Sequence, residues 1–389
     1  MGDETIEREL DELLGEGQEA ARRRAAAHLA LGDSPLALYG AGNLGRAVLA
    51  RLRRSGVEPA AFADDTPSKR GQTIDGLPVM PPAEVLERFG AQTVFAVTIF
   101  NPRASFLAIA RRLSEATGAR VVSFLSLAWR YPEQFLPHYQ FEPPHRLLAK
   151  ADDVRRGLRV FDDEESRRQF VAHVRFRLRL DFEALPASGG GDYFPADVLA
   201  PLPPDATFVD CGAYDGDTVR RFLEHQSGEF GRVYAFEPDG ANCRRLRDYV
   251  ASLGDAAARR VRVIQAGVGA RRERLRFNAT GDMGAAFDGG GGAEVDVLPI
   301  QEVVEEDGGA IFLKLDVEGA ERAALEGAAG LIGRARPALA VSVYHRPDDL
   351  WELPLYIHAL GLGYRLFLRT QGEDGMDVIC YAVPPGLLP

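Results

Sequence analysis

The sequence contains few cysteines, and they form no recognisable disulfide or metal pattern. Among 389 residues there are three, Cys211, Cys243 and Cys380, an odd number with wide spacing. This spacing excludes the paired framework of a small secreted protein and the close cysteine pairs of a zinc knuckle. We therefore expect a protein of the reducing cytoplasm.

Long apolar runs and an excess of basic residues are also missing. No apolar stretch reaches the roughly 20 residues that a transmembrane helix needs. The amino terminus is acidic and polar, so we expect neither a membrane span nor a signal peptide. With 57 acidic and 46 basic residues the formal net charge is −11. A negative balance disfavours a nucleic-acid partner, because binding to a phosphate backbone requires neutralising cations.

The composition is that of an ordinary globular protein, 46% hydrophobic and 26% charged, and the length of 389 residues suggests two domains. Strand and helix patterns alternate in both halves, which predicts an α/β fold of two Rossmann-like doubly wound domains joined by a helical linker. The predicted divisions are an amino-terminal helix over 1–33, a small Rossmann-like domain over 34–130, the helical linker over 131–188, and a second Rossmann-like domain over 189–389.

The most informative stretch is residues 206–218, where an apolar strand ends in Asp210 and leads through a glycine-containing turn into a helix. Gly212 and Gly216 lie in the turn, and Thr218 lies at the start of the helix. Such a turn directs backbone N–H groups and a helix N-terminus at a ligand. The next strand ends in Glu237, whose carboxylate would accept hydrogen bonds from two ribose hydroxyls. Together these features predict an adenosine site.

Later strands bring further polar or small residues to the same predicted edge. A third strand ends near Ala266, whose small side chain would leave room for a flat base. The buried strand 311–315 is followed by Asp316 and Glu318, and the strand 338–343 is followed by His345. Strand tips at the carboxyl edge of an open sheet are where such folds bind ligands.

These motifs resemble those of FkbM-type methyltransferases over about residues 190–389. The resemblance is carried by Tyr193-Phe-Pro195, Val209-Asp-Cys-Gly-Ala-Tyr-Asp-Gly-Asp-Thr218, Ala235-Phe-Glu-Pro-Asp239, Lys314-Leu-Asp-Val-Glu-Gly-Ala-Glu321 and Val343-Tyr-His345. It implies a class I enzyme that uses S-adenosyl-L-methionine and methylates hydroxyls of sugars or natural products.

The resemblance also implies a set of cofactor-binding residues. Asp210, Gly212 and Tyr214 would lie near the methionine part and Glu237 on the ribose. Ala266 would lie near the adenine, and many class I enzymes carry a further glycine where this chain has Tyr214. The complete expected set is Asp210, Gly212, Tyr214, Gly216, Thr218, Glu237, Pro238, Ala266 and Asp316.

The acceptor hydroxyl needs activation, and three residues are candidates for it. His345 is a candidate general base, since histidine titrates near neutral pH. Asp316 and Glu318 could instead hold Mg²⁺, or Asp316 could simply contact the cofactor. All three roles stay open on the sequence alone, whereas Glu321 is expected to be an acid on a helix surface. The expected partner is a sugar or glycan acceptor, including a nucleotide-sugar.

A second glycine motif, Gly40-Ala-Gly42-Asn43-Leu-Gly45, lies between a strand and a helix, and Asp64 follows the next strand at the spacing of a dinucleotide site. The stretch 62–79 resembles the nucleotide-sugar-facing Rossmann domain of bacterial sugar acyltransferases. Nucleotide-sugar binding, NAD(H) binding and a scaffold without ligand are the alternatives for this domain. For the whole chain, an NAD-dependent oxidoreductase or epimerase and a non-catalytic nucleotide-binding regulator are the alternatives to a methyltransferase.

Overall fold

The structure is a computed structural model that describes residues 2–190, 193–278, 286–287 and 293–389. Two compact units make up the chain, the first from residues 1–155, 168–188 and 372–377, and the second from residues 156–167, 189–371 and 378–389. Each unit contains a mainly parallel sheet with helices between the strands. The predicted α/β class with two Rossmann-like sheets is therefore confirmed.

The first unit is built on a six-stranded sheet. Its strands are β1 (Leu36–Tyr39), β2 (Ala61–Ala63), β3 (Thr73–Ile74), β4 (Leu77–Met80), β5 (Val94–Val97) and β6 (Arg120–Ser123). They lie in the order β3-β4-β2-β1-β5-β6, and all neighbours run parallel except β3 and β4. Every residue of the two central strands β2 and β1 is buried, which places the core on both faces of the sheet.

Ten helices lie between residue 2 and the start of the second unit's sheet. They are α1 (Gly2–Leu14), α2 (Gln18–Ala27), α3 (Asn43–Arg54), α4 (Pro82–Phe89), α5 (Phe106–Thr117), α6 (Phe124–Arg130), α7 (Pro132–Phe135), α8 (Pro144–Leu148), α9 (Ala151–Arg159) and α10 (Glu164–Arg179). The single helix expected over residues 1–33 is in fact two, with Gly15 and Gly17 in the break between them. Glycine disfavours a helix interior by about 1 kcal/mol relative to alanine.

The second unit contains a seven-stranded sheet. Its strands are β7 (Thr207–Cys211), β8 (Val233–Phe236), β9 (Val261–Ile264), β14 (Ile311–Leu315), β15 (Ala338–Ser342), β16 (Arg365–Thr370) and β17 (Val378–Val383). The helices are α11 (Asp217–His225), α12 (Gly240–Ser252), α13 (Asp255–Ala258), α14 (Glu321–Gly327), α15 (Ala329–Ala335) and α16 (Asp349–Ala359). No helix among the described residues has both the length and the hydrophobicity that crossing a membrane requires.

The strand order β16-β17-β15-β14-β7-β8-β9 creates a switch point between β7 and β14. From β7 the chain continues outward through β8 to β9, and it later returns to place β14 and β15 on the other side. The loops after β7 and β14 therefore leave in opposite directions and open a crevice at the carboxyl edge, which is where open α/β sheets bind ligands.

A smaller sheet accounts for the remaining strands of the second unit. It consists of β10 (Gly267–Val268), β11 (Glu273–Asn278), β12 (Ala286–Phe287) and β13 (Ala293–Leu298), in the order β10-β13-β11-β12. β16 and β17 extend the main sheet, where β17 lies between β15 and β16 and runs antiparallel to both. The four consecutive glycines at 289–292 lie outside the described residues.

Buried aromatic rings pack between the two strands that flank the switch point, β7 and β14, and helix α11. Phe208 of β7 lies 4.7 Å from Phe222 of α11 and 5.7 Å from Phe312 of β14, measured between ring centroids. Phe194 lies 5.1 Å from Phe312. Because each of these rings is buried, their packing fixes the two strands whose tips carry the polar residues.

Candidate active site at the switch point

Asp210 and Lys314 form a buried ion pair where β7 and β14 end. The two residues are register partners on neighbouring strands. Lys314 Nζ donates to Asp210 Oδ1 at 2.9 Å and to the Gly212 carbonyl oxygen at 2.9 Å. Burial raises the pKa of Asp210 to about 6, although Lys314 opposes the shift. Burial lowers the pKa of Lys314, but Asp210 and Asp316 outweigh it and raise that pKa above its ordinary value.

Two glycines of the turn after β7 are required by their surroundings. Gly212 has φ +82°, and a Cβ there would lie 1.9 Å from the carbonyl oxygen of Asp316. Gly216 has φ +90°, and a Cβ there would lie 2.8 Å from Leu246 Cδ1. The turn thus passes directly against the tip of β14, and its last residues lead into α11, where Thr218 is buried.

Glu237 is a buried carboxylate that joins the turn after β7 to the turn after β8. Its Oε2 accepts a hydrogen bond from the Tyr214 N–H at 2.9 Å, and its Oε1 accepts one from the Asp239 N–H at 2.8 Å. Burial raises the pKa of Glu237 to about 7, and the bonds from Asp239 and Tyr214 work against that rise. Tyr214 is held with φ +48°, a conformation that non-glycine residues adopt mainly at special turns.

The other two expected adenosine residues lie at neighbouring strand tips. Pro238 follows Glu237 after β8 and is half-buried, and Ala266 follows β9 and is 2% exposed. The Glu237 N–H donates to the Ile264 carbonyl at 3.0 Å, which ties the ends of these two strands together. All the residues expected to bind the cofactor therefore lie at the end of β7 or follow β7, β8, β9 or β14 at one edge of the sheet.

On the other side of the switch point, three carboxylates surround His345. The Nδ1 atom of His345 lies 2.7 Å from Glu321 Oε1. Its Nε2 atom lies 3.4 Å from Asp316 Oδ1 and 3.7 Å from Glu318 Oε2. The Tyr193 hydroxyl donates to Asp316 Oδ2 at 2.9 Å. The structure thus brings together Asp316, Glu318 and His345, the three residues expected to be catalytic.

The carboxylates determine the charge of the imidazole. Burial lowers the pKa of His345, but Glu321, Glu318 and Asp316 together raise it to about 10. Burial raises the pKa of Asp316, yet Lys314 and His345 outweigh it, so the net shift is downward. In this state both ring nitrogens carry protons at neutral pH, and the ring donates hydrogen bonds rather than accepting them. Ligand atoms of Asp316, Glu321 and His345 all lie within 4.8 Å of one another, close enough to share a metal ion.

The glycine loop of the first unit is closely packed against itself. A Cβ at Gly45 would lie 2.0 Å from the carbonyl oxygen of Gly40, which itself has φ +111°. Asp64 Oδ2 accepts hydrogen bonds from the Ala41 N–H at 2.8 Å and from Lys69 Nζ at 2.9 Å. Gly42 caps α3, and Asn43 is its first residue. The backbone contacts account for the glycines at 40 and 45, and the Asp64 carboxylate is already bound within the unit.

Residues 210–366 match the Methyltransferase FkbM domain. The carboxyl-terminal part of this chain contains an FkbM methyltransferase domain. Methyltransferase FkbM from Methylobacillus flagellatus KT has a similar fold, with a TM-score of 0.76 and 22% sequence identity over 98% of this chain and 99% of that one. At that identity the likeness concerns the fold alone.

Two curated relatives match a shorter part of the chain. They are the UDP-N-acetylmuramoylalanine–D-glutamate ligases of Mycolicibacterium paratuberculosis and Mycobacterium avium. Each is 33% identical over 116 residues, which is 30% of this chain and 22% of the ligase. The chain spans about a fifth of the length of these curated relatives.

Three residues in or beside the FkbM domain were not predicted as site residues. Glu321, expected on a helix surface, is 1% exposed, so that expectation is wrong. Lys314 stands alone in an apolar strand, which is the signal that could have revealed it, since a buried lysine needs a partner. Tyr193 was recognised only as part of a motif, and its contact with Asp316 depends on the tertiary fold.

Proposed function

We propose that this chain is an S-adenosyl-L-methionine-dependent O-methyltransferase that acts on a hydroxyl of a sugar, a nucleotide-sugar or a glycosylated natural product. The observation that carries the proposal is the position of Glu237. This buried carboxylate lies at the tip of β8 and is bonded to the glycine-containing turn after β7. A carboxylate so placed would accept both ribose hydroxyls of an adenosine in the crevice.

The remaining residues of the edge fit the other parts of this cofactor. Gly212 and Gly216 allow the chain to pass close to the ligand, and α11 begins directly after the turn. The Asp210–Lys314 pair holds the turn from below through the Gly212 carbonyl. Ala266 offers a small surface for the adenine.

The reaction is an in-line displacement at the sulfonium methyl group. The acceptor oxygen forms a bond to the methyl carbon, while the carbon–sulfur bond breaks and its electron pair stays on sulfur. The proton of the hydroxyl passes to a carboxylate of the group around His345. The cofactor supplies the electrophile, so the protein contributes alignment and a proton acceptor. A positioned acceptor of this kind is worth typically about 10²–10⁴-fold in rate.

The sugar class of the acceptor rests on the resemblance of the sequence motifs, as does the choice of oxygen over nitrogen or carbon. The ligases that share a partial match are named for a UDP-linked sugar derivative, which is compatible with a nucleotide-sugar acceptor. The three widely spaced cysteines, all buried and free, suit a cytoplasmic enzyme of this type.

Calorimetric titration of the purified full chain with S-adenosylhomocysteine, and separately with NADH, tests the proposal. We expect S-adenosylhomocysteine to bind, and Glu237→Gln to weaken binding at least tenfold in a protein that remains folded by circular dichroism. Glu224→Gln, which changes an acid at the far end of α11, is the matched control and should leave binding unchanged. Binding of NADH without S-adenosylhomocysteine would overturn the proposal and favour a dehydrogenase or epimerase.

A further inference from the structure

We propose that Asp316, Glu318 and His345 bind one divalent transition-metal ion, with Glu321 orienting the imidazole ring. The metal centre would deepen the proposed function, because the ion would hold the acceptor hydroxyl. Binding of the ion itself does not depend on the methyl-transfer chemistry and can be measured without it.

The distances around His345 suit a shared ion. Its Nε2 lies 3.4 Å from Asp316 Oδ1 and 3.7 Å from Glu318 Oε2. Ligand atoms that are each about 2.1 Å from one metal lie roughly 3.0–3.5 Å apart in octahedral or tetrahedral geometry. Both distances from Nε2 therefore match those around a shared ion after movements of a few tenths of an ångström in the side chains.

The second ring nitrogen is held as it is in many metal sites. A metal-binding histidine usually donates its other N–H to a carboxylate, which fixes the ring orientation and the tautomer. Here His345 Nδ1 lies 2.7 Å from Glu321 Oε1, and the same oxygen accepts the Val317 N–H at 2.9 Å. Glu321 thus links the imidazole to the turn that carries Glu318.

The burial of Glu321 is a separate observation that favours a cation at this cluster. Glu321 is 1% exposed, and its Oε2 atom has no hydrogen-bond partner in the described part of the chain. A buried carboxylate oxygen without a partner is costly unless positive charge lies nearby. One ligand atom from each of Glu321, Asp316 and His345 lies within 4.8 Å of the others, so an ion bound to Asp316 and His345 would place positive charge near this carboxylate.

The charge balance of the cluster supports a dication. Three carboxylates, those of Asp316, Glu318 and Glu321, face one imidazole, so the acidic groups outnumber the single ring that can carry a positive charge. The nearest ammonium, Lys314 Nζ, is bound to Asp210 at 2.9 Å and lies 3.9 Å from Asp316 Oδ2. Its charge is therefore shared with a different carboxylate, and a dication would complete the balance.

The donor atoms indicate the class of metal. Mg²⁺ prefers oxygen ligands only, whereas imidazole nitrogen suits Zn²⁺ and Fe²⁺, and carboxylates also suit Mn²⁺. One nitrogen and two carboxylate oxygens thus favour Mn²⁺, Fe²⁺ or Zn²⁺ over Mg²⁺. Three protein ligands leave other coordination positions open, and an alcohol bound there would lose its proton more readily.

Titration of the full chain with Mn²⁺, followed by the electron paramagnetic resonance signal of free Mn²⁺, tests the proposal. We expect one ion per chain. Asp316→Asn and His345→Gln should each weaken binding at least tenfold, and Glu321→Gln should weaken it about 10–100-fold. Glu326→Gln is the matched control, because this acid lies on the same helix α14 but pairs with Arg322 at the surface.

Absence of Mn²⁺ binding, or equal affinity in wild type and all three variants, would overturn the proposal. A second measurement uses only the wild-type chain, so it does not depend on whether the variants fold. With ¹⁵N-labelled histidine, stoichiometric Mn²⁺ should broaden the signals of one of the seven rings in the wild-type chain; broadening of none would also overturn it. Titrating the same samples with S-adenosylhomocysteine distinguishes failure of the metal proposal from failure of the methyltransferase proposal, since either ligand can bind without the other.

Discussion

Lys314 Nζ lies 2.9 Å from Asp210 Oδ1 at a point where the side chains of the two residues are 2% and 0% exposed. The pair connects β14 to β7, and a further bond from Lys314 to the Gly212 carbonyl extends it to the glycine-containing turn. Because both side chains are buried, water cannot take the place of either partner in the ion pair. The ion pair is therefore a structural support of the ligand-binding edge as well as part of its electrostatics.

Replacing Lys314 with methionine should destabilise the protein by about 3–5 kcal/mol, because Asp210 would remain as an uncompensated buried charge. Urea unfolding followed by circular dichroism measures the free energy of unfolding. The loss should be largest above pH 6, where Asp210 is ionised, since burial holds its pKa at about 6.

The double variant Lys314→Met with Asp210→Leu is the control for this prediction. Replacing both charges by apolar groups removes the desolvation cost, so the double variant should be clearly more stable than Lys314→Met alone. If Lys314→Met lost less than about 1 kcal/mol, the pair would not be the strong support inferred here.

Gly212→Ala should be much more harmful than an alanine at another glycine with the same backbone angle. The new Cβ would lie 1.9 Å from the Asp316 carbonyl oxygen, so the turn and β14 would have to separate. The combined strain and overpacking should cost roughly 2–5 kcal/mol and abolish cofactor binding. Thermal melting and titration with S-adenosylhomocysteine measure the two effects.

Gly228 is the matched control for Gly212. It has φ +81°, and a Cβ there would meet nothing within 4 Å. Gly228→Ala should therefore show only the backbone cost of about 1–2 kcal/mol and bind the cofactor normally. Equal effects at the two glycines would contradict the close contact between the turn and β14.

The structure also shows which parts of the site were accessible from the sequence. The turn around Gly212 and the acid Glu237 were predicted because their chemistry is expressed in contiguous residues that follow apolar strands. The partner of Lys314 depends on the parallel pairing of β14 with β7, which joins residues far apart in the chain. Likewise, the burial of Glu321 follows from its contact with His345 after the next strand, and no local pattern encodes that contact.

Asp64→Asn should lower the free energy of unfolding by roughly 2 kcal/mol at neutral pH. Burial raises the pKa of Asp64, but hydrogen bonds from Thr66, Lys69 and Ala41 outweigh it and hold the pKa at about 2. Because the pKa of Asp64 is lower in the folded than in the unfolded protein, its ionised carboxylate stabilises the fold at pH values above the unfolded pKa. This stabilisation is lost as the pH falls toward the folded pKa. The difference between the variants should therefore shrink to about half near pH 3, measured by urea unfolding.

Asp65→Asn, the neighbouring acid with a half-exposed side chain, serves as the control and should change stability by less than about 1 kcal/mol. An Asp64→Asn variant as stable as wild type would contradict a structural role for this carboxylate. So would a variant that keeps its stability and binds NADH more tightly than wild type.

Cofactor binding should strengthen as pH rises through neutrality. Burial raises the pKa of Glu237 to about 7, and only the ionised carboxylate can accept hydrogen bonds from both ribose hydroxyls. The affinity for S-adenosylhomocysteine should therefore rise about tenfold from pH 6 to pH 8, with proton release on binding near pH 7. Calorimetry in buffers of different ionisation enthalpy measures both quantities. In Glu237→Gln the pH dependence should flatten, because the amide does not titrate; a wild-type affinity that is constant over this range would show that Glu237 does not bind the ribose.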